Sequence, residues 1–168
     1  MEPSGLNGHG SISSLLPDRA IWIGAEATDW REAIRRAGDA LIASGAVTDA
    51  YTDEMIATVE SLGPYIVIAP GIALAHSRPS PAVHRSGLSL VLLSNPIEFG
   101  HRTNDPVRLV IGLAAPDDAG HVDALASLAE FLMDDARRES LLEARDATTV
   151  RSLIGEFESA AAAAEAPA

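Results

Sequence analysis

The chain has 168 residues, no cysteine, and 24 acidic against 12 basic residues, all of them arginine, so its formal net charge is −12. This length fits one globular domain, and an apolar fraction of 47% is ordinary for a folded protein. The acidic balance argues against nucleic-acid binding and against adsorption to anionic membranes, because both need a basic surface. Without cysteine, disulfides, thiolate zinc sites and catalytic thiols are excluded.

The front of the chain is predicted to form a short strand followed by a helix. Residues 20–24 are the strand candidate. Thr28 and Asp29 are predicted to cap the helix, and Glu32 is spaced to bond back to that cap. Apolar residues then recur at helical spacing, and the helix should end at Gly45, because glycine readily adopts the backbone conformation that ends helices.

A second helix is predicted over about residues 48–62, where Tyr51, Met55, Val59 and Leu62 fall on one face. Apolar stripes of this kind usually pack into the core. The helix should end at the glycine and proline that follow it. We therefore expect two helices before the first long run of strand residues.

The middle of the chain contains the residues of several strands. The run 65–69 is β-branched and continuously apolar, which predicts burial on both faces. Residues 72–75 continue in extended conformation and lead to His76. Residues 88–93 and 107–114 are two further strand candidates with a polar loop between them.

The pattern becomes helical again from Gly120, with shorter helices predicted over about residues 139–144 and 148–158. Helices, then strands, then helices again imply an α/β fold with a central sheet covered by helices. We expect a flexible tail over residues 1–12, a folded domain over 13–158, and an alanine-rich tail over 159–168.

Histidine is the side chain in this sequence that can act as a neutral nucleophile or base near pH 7. His76 ends an extended segment and begins a Ser-Arg-Pro loop, where a sheet can present a reactive group; a strand-end histidine bonded to nearby backbone is the alternative. His121 follows Gly120 at a helix start, where free backbone N–H groups favour an anion; a first-turn histidine near a capping aspartate is the alternative. A histidine pair would suit phosphoryl transfer.

Other candidate sites are weaker. Arg78, two residues after His76, could meet a phosphoryl oxygen or a partner's carboxylate, or could be a solvated loop residue. A pair of histidines could also bind zinc, but no third ligand stands in a recognisable arrangement. His9, His84 and His101 are expected to lie in the tail or in loops. The sequence has neither a Gly-rich phosphate loop nor the GxSxG motif of serine hydrolases.

The stretch GPYIVIAPGIALAHSRP at residues 63–79 resembles the active-site segment of a bacterial family. This family comprises the enzyme IIA components of the phosphoenolpyruvate:sugar phosphotransferase system, in the mannitol/fructose superfamily and its ascorbate-type branch. Three more segments resemble the family in the same order, so that the likeness covers about residues 15–157: DRAIWIGAEATDWREAI, GLSLVLLSNPIEFGHRTNDPVRLVIGLAAPD and GHVDALASLAEFLMD.

The resemblance implies a three-layer α/β/α sandwich with a central mixed sheet. It makes His76 the phosphorylated histidine, with the phosphoryl group expected on the tele nitrogen Nε2, and His121 the residue that stabilises that group. We expect Ser77, Arg78 and Gly120 to contact the phosphate or a partner. The sequence departs from many relatives just before His76, where alanine stands in place of the usual proline.

The implied reaction is transfer of a phosphoryl group from phospho-HPr to His76 and then to a cognate IIB, which serves a membrane IIC transporter. The resemblance implies no cofactor and no metal, with ascorbate as the favoured carbohydrate. A cytoplasmic location without membrane insertion is expected, because no signal segment and no long apolar run is present. The sequence does not determine whether the protein forms a homo-oligomer. The alternative function is a regulatory protein of the same fold that binds a transporter or regulator according to its phosphorylation.

Overall fold

A central sheet of five strands organises the computed structural model, which describes residues 11–165. The strands are β1 (Ile21–Ala25), β2 (Val67–Ala69), β3 (Ile72–His76), β4 (Gly87–Ile97) and β5 (Val107–Ala114). Their order across the sheet is β1-β4-β5-β3-β2. The pairs β1/β4 and β3/β5 are parallel, whereas β4/β5 and β2/β3 are antiparallel. The sheet is therefore mixed, as expected.

Within residues 11–165, six α-helices cover both sides of this sheet, and a short 3-10 helix (Asp18–Ala20) precedes β1. The six α-helices are α1 (Ile12–Leu15), α2 (Trp30–Ala43), α3 (Asp49–Leu62), α4 (Asp118–Leu132), α5 (Asp135–Leu142) and α6 (Ala147–Glu165). Helix α2 packs on β4 and β5 and against α3, while α1 contacts α4 and α6. This arrangement confirms the three-layer α/β/α sandwich. Among the described helices, none is long and apolar enough to cross a membrane.

The start of α2 and its contact with α3 follow from particular residues. Asp29 accepts a hydrogen bond from the Glu32 N–H at 2.8 Å, and the Glu32 carboxylate accepts one from the Thr28 N–H at 2.7 Å. A Cβ atom at Gly38 would lie 2.0 Å from Thr52 Oγ1, so only glycine lets the two helices approach this closely. The close approach fixes α3 on the domain, which matters because α3 forms one wall of the site described below.

Two expectations about buried faces are wrong. Strand β2 is shorter than the predicted run and lies at the edge of the sheet, and Ile68 in its centre is 45% exposed. A continuous apolar run gives the same sequence signal for a central strand as for an edge strand with one open side. Leu62, placed on the core face of α3, is 68% exposed at the end of that helix.

The N-terminal boundary of the domain also differs from the prediction. Ile12, assigned to the tail, begins α1 and is only 3% exposed. The N–H and the hydroxyl of Ser13 both donate to the Glu158 carboxylate on α6, at 3.1 and 2.6 Å. Arg151 of α6 donates to the Leu16 carbonyl just after α1. These bonds form a clamp between α1 and α6 that holds residue 12 in the fold; residues 1–10 lie outside the described part of the chain.

The alanine-rich segment was predicted as a tail from residue 159, yet α6 continues through it to Glu165. Alanine has the highest helix propensity of all residues, so a helix that is already anchored on the domain extends readily into such a segment. Residues 166–168 of the predicted tail lie outside the described residues.

Candidate active site

The topology of the sheet brings His76 and His121 together. Strands β3 and β5 are parallel, and His76 at the end of β3 pairs with Leu113 near the end of β5. The chain leaves β5 and enters α4 within a few residues, so the first turn of α4 lies at the same sheet edge as His76. The two imidazole rings have centroids 5.5 Å apart.

The hydrogen bond of His76 fixes which ring nitrogen is free. Its Nδ1 atom lies 3.0 Å from the Leu74 carbonyl oxygen. A carbonyl can only accept a hydrogen bond, so Nδ1 carries the proton in this contact. The lone pair of the neutral ring is then on Nε2, and that nitrogen is the nucleophile available to an incoming electrophile.

The environment of the His121 ring differs from that of His76. Burial lowers its pKa from 6.5, the neighbouring His76 lowers it further, and Asp118 opposes the shift. Its Nδ1 atom is buried and has no hydrogen-bond partner within the described residues. A buried lone pair without a partner is tolerated better than a buried N–H without one. The neutral ring is therefore best protonated on Nε2, which makes that nitrogen a donor.

An open cleft of about 660 Å³ surrounds the pair. The residues lining it come from α3, β3, the loop after β3 and α4: Ala57, Thr58, Ser61, Leu62, Tyr65, His76, Ser77, Arg78, Pro79, Asp118 and His121. The Tyr65 ring stands edge-on to His76, with centroids 6.1 Å apart. Two histidines and one arginine thus gather in a single cleft of a strongly acidic protein.

Of the three supporting residues that the sequence proposed, two line this cleft. Ser77 and the exposed Arg78 are part of its wall. Gly120 is not among the lining residues, and its N–H donates to the Asp117 carboxylate at 2.8 Å. Asp117 is the N-cap of α4 and satisfies this amide itself. The Gly120 amide is therefore already bonded in this structure, and a contact of Gly120 with the phosphate or a partner stays a prediction.

Sequence reasoning missed several residues that shape the site. The sequence patterns place Tyr65 in a buried strand and Tyr51 on the core face of a helix, and they give Asp118 no role in the site. The Tyr51 hydroxyl accepts a hydrogen bond from the Ser77 N–H at 2.9 Å, and burial raises its pKa to about 12. Helical periodicity placed Tyr51 on the buried face of α3 correctly, but it gives no information on where the polar tip of a buried tyrosine binds.

The remaining histidines do not join the site. His84 is exposed, and His101 Nδ1 accepts hydrogen bonds from the N–H groups of Thr103 and Asn104 within its own loop. Within residues 11–165, no group of three histidine, aspartate or glutamate side chains is arranged to hold a metal ion. His9 lies outside the described residues.

Comparison with known proteins gives a consistent family. Residues 14–156 match the family model described as "Phosphoenolpyruvate-dependent sugar phosphotransferase system, EIIA 2". The ascorbate-specific PTS system EIIA component of Salmonella typhimurium is 38% identical over 149 residues, which are 88% of this chain and 97% of the relative. The protein of the same name from Escherichia coli is 37% identical with the same coverage.

Solved structures of similar proteins share the fold. The mannitol-specific cryptic enzyme IIA CmtB of Escherichia coli is 30% identical with a TM-score of 0.79, covering 88% of this chain and 99% of that one. A complex of enzyme IIA mannitol with phosphorylated enzyme IIB mannitol from the same organism matches at 28% identity and a TM-score of 0.74, covering 84% and 99%. The nitrogen regulatory protein IIA-Ntr of Neisseria meningitidis matches at 25% and 0.73, covering 85% and 98%.

Proposed function

The chain belongs to the EIIA type 2 family of the phosphoenolpyruvate-dependent sugar phosphotransferase system, and from this membership we propose that His76 carries its phosphoryl group. The protein is a phosphotransferase component of that system. One observation carries the assignment of His76: its Nδ1–H is bonded to the Leu74 carbonyl, which leaves the lone pair on Nε2 of a side chain that lines the cleft.

The transfer can be written without a cofactor. Nε2 of His76 attacks the phosphorus of the donor, phospho-HPr, and an N–P bond forms as the bond from phosphorus to the donor breaks. The electron pair of the broken bond stays on the donor. The Nδ1 proton stays on the ring, held by the Leu74 carbonyl, so no proton has to leave His76 during the step. Transfer to a IIB protein then discharges His76. The acceptor's nucleophile attacks the phosphorus, the Nε2–P bond breaks, and its electron pair returns to Nε2.

We assign His121 the role of donor to the phosphoryl oxygens. Its lowered pKa keeps the ring neutral at physiological pH, and its unpartnered Nδ1 places the remaining proton on Nε2. A neutral donor beside His76 stabilises the charge that develops on the phosphoryl oxygens in the transition state. Because it is neutral, it does not repel a protonated His76 ring. Arg78 and the Ser77 hydroxyl, both on the cleft wall, are further donors for the same group.

The rim of the cleft supports a protein partner rather than a free small substrate. Leu62, Tyr65 and Val122 are exposed apolar side chains beside His76 and His121 in structure or in sequence. Exposed apolar side chains grouped beside a reactive centre mark sites of interaction with other proteins. The structural neighbour solved with phosphorylated IIB supports a IIB protein as the acceptor here, with HPr using the same surface in turn.

We propose ascorbate as the carbohydrate that this component serves. The supporting observation is that the curated relatives named ascorbate-specific are 37–38% identical over nearly their whole length, whereas the mannitol-type structures are about 30% identical. We also propose a cytoplasmic location, in keeping with a sequence that has no cysteine and needs no oxidising compartment. The phosphotransferase domain would begin at α1 and include the matched residues 14–156.

Phosphorylation in a reconstituted system tests the proposal. Wild-type protein incubated with labelled phosphoenolpyruvate, enzyme I and HPr should take up one phosphoryl group, and NMR should locate it on His76 Nε2. His76→Ala should take up none, while His84→Ala, which removes an exposed histidine outside the cleft, should be labelled fully. Full labelling of His76→Ala would refute the assignment. Discharge by an ascorbate-type IIB faster than by a mannitol-type IIB would support the carbohydrate.

A regulatory function is the second candidate, and one observation favours it: the fold and 25% of the sequence are shared with a nitrogen regulatory IIA-Ntr protein. A regulator would be phosphorylated by HPr but would not pass the group on. If the phosphorylated protein failed to discharge to any IIB, and a transporter or regulator bound only one phosphorylation state, the regulatory function would replace the transport function.

A further inference from the structure

One side of α3 holds the loop that follows His76 at three points. The Tyr51 hydroxyl accepts from the Ser77 N–H at 2.9 Å, and Thr58 Oγ1 lies 3.2 Å from Ser77 Oγ. The Glu54 carboxylate accepts from the Ser80 hydroxyl at 2.7 Å. Side chains three, four or seven residues apart share a face of a helix, so these contacts come from a single polar stripe.

The Tyr51 hydroxyl stands between two strands at the point where they separate. It donates to the Leu113 carbonyl of β5 at 2.8 Å while it accepts from the Ser77 amide of the chain leaving β3. Leu113 is the residue paired with His76 in the sheet. The hydroxyl therefore bridges the amide after His76 and the strand opposite His76, and it continues the sheet's hydrogen bonding one step beyond its last direct pair.

The chemistry of the hydroxyl suits a permanent bridge. A phenol has one proton to donate and lone pairs to accept with, and both functions are in use here. Tyr51 is fully buried, and burial raises its pKa to about 12, so the hydroxyl keeps its proton throughout the physiological pH range. Phenylalanine at this position would remove the hydrogen-bond acceptor of the Ser77 amide and one donor to the Leu113 carbonyl.

The bridge matters for His76 because the backbone of that residue is then held on both sides. Before it, Ala75 is paired with Gly112 in the sheet, and the imidazole is bonded back to the Leu74 carbonyl. After it, the Ser77 amide is bonded to Tyr51. Since a histidine ring is aimed by its own backbone, fixing the residues on either side fixes the direction of Nε2 in the cleft.

We propose that Tyr51 is a positioning residue for phosphoryl transfer, which acts through Ser77 to aim the His76 ring, with Thr58 supporting it on the Ser77 side chain. The proposal rests on His76 being the phosphoryl acceptor. Tyr51 does not touch the phosphoryl group: its hydroxyl is buried beneath the loop, and it is not among the residues that line the cleft.

The test compares Tyr51→Phe with wild type in single-turnover transfer from phospho-HPr. We expect the rate at saturating donor to fall about 10- to 100-fold, because misplacing a reacting group by ~1 Å has an effect of this size. The concentration of HPr that gives half the maximal rate should stay unchanged, since the docking surface is untouched. Phosphate should still be found on His76. The ¹⁵N shifts of the His76 ring should move from the Nδ1–H tautomer toward an average of both tautomers.

Ser89→Ala is the matched control for lost stability. It also removes a fully buried hydroxyl, one that donates to the Ala37 carbonyl of α2 at 2.8 Å and does not bond the loop after His76. The control should leave the rate and the ring tautomer at wild-type values even if it melts as early as Tyr51→Phe. Wild-type rate and tautomer in Tyr51→Phe, or equal losses in both variants, would overturn the proposal.

Thr58→Val keeps the test open if Tyr51→Phe does not fold. It preserves the shape of the side chain and removes two contacts of the Thr58 hydroxyl, one with Ser77 Oγ and one with the Glu54 carbonyl of the same helix. Only the first reaches the loop after His76, so we expect a rate about three- to tenfold lower, in line with one hydrogen bond of ~1 kcal/mol. An unchanged rate in this variant would then overturn the proposal. Failure of the acceptor assignment is distinguishable, because wild-type protein would then carry its label on a residue other than His76.

Discussion

The two walls of the cleft hold their polar groups in opposite ways. On the α3 wall, Tyr51 and Thr58 are hydrogen-bonded to the loop that carries His76. On the α4 wall, His121 has a buried Nδ1 without a partner among the described residues and a pKa lowered by burial. The first wall fixes the geometry of the acceptor before any donor arrives, whereas the second keeps a donor proton unused until a phosphoryl group enters.

This difference separates two contributions to catalysis. Positioning of the nucleophile needs satisfied hydrogen bonds, because any slack lets the reacting atom move. Stabilisation of developing charge needs an unsatisfied donor in a place where water is scarce, because a donor that is already bonded elsewhere has little to offer the transition state. Changes on the α4 wall should therefore affect rate with little effect on the position of His76, and each of the following tests can break or sharpen that distinction.

The largest expected effect in this comparison is that of His121→Ala. Removing one preorganised donor from a developing anion typically slows a reaction by about 10²- to 10³-fold. Quench-flow transfer from phospho-HPr should show a loss in this range, with the label still on His76 and the ¹⁵N shifts of the His76 ring unchanged. His84→Ala is the control. A wild-type rate would show that His121 Nε2, the proposed donor on the α4 wall, has no part in the reaction.

An intermediate effect is expected at the rim, where the α3 wall ends in the exposed Leu62. Leu62→Ser should raise the KM for phospho-HPr about three- to tenfold and leave kcat unchanged, since a rim contact contributes on the order of 1 kcal/mol to binding. Met133→Ser makes the same change at an exposed residue that lines a different groove. Equal KM values for both variants would place the docking surface elsewhere.

The smallest expected effect is on stability at acid pH. The pKa of His121 is lower in the folded protein than the ordinary value of 6.5, so below that pH the unfolded chain binds more protons than the folded one. Stability should therefore fall as the pH drops from 7 toward the folded pKa. Urea midpoints at pH 7 and pH 5 should differ less for His121→Ala than for wild type. A parallel pH dependence in both proteins would contradict the lowered pKa.

The sequence predicted the acceptor side of this arrangement better than its surroundings. A strand that ends at His76 and a helix that begins near His121 follow from local patterns, and both are present in the structure. The exposure of Ile68 could not be read, because an apolar run carries no information on which strands flank it. The sequence also could not show that the Gly120 amide bonds Asp117, because the amides at a helix start can bind either the capping side chain or an anion from outside the chain.

The α3 wall illustrates the same limit in another form. Spacing placed Tyr51 on the buried face, and the structure agrees, but its partners are 26 and 62 residues further along the chain. Contacts over such separations depend on the order of strands in the sheet. Periodicity does not determine that order, so a buried tyrosine with a catalytic neighbour has the same sequence signature as one that only fills the core.

The clamp between α1 and α6 can form only late in the synthesis of the chain. Ser13 and Glu158, which hold it together, are 145 residues apart, so α1 emerges long before its polar partner is translated. At roughly 5–20 residues per second, the nascent chain waits on the order of ten seconds with Ile12 unclamped. Helix α1 is thus secured only after α6 has been made, and a stalled or truncated product lacking α6 would leave Ile12 accessible to chaperones and proteases.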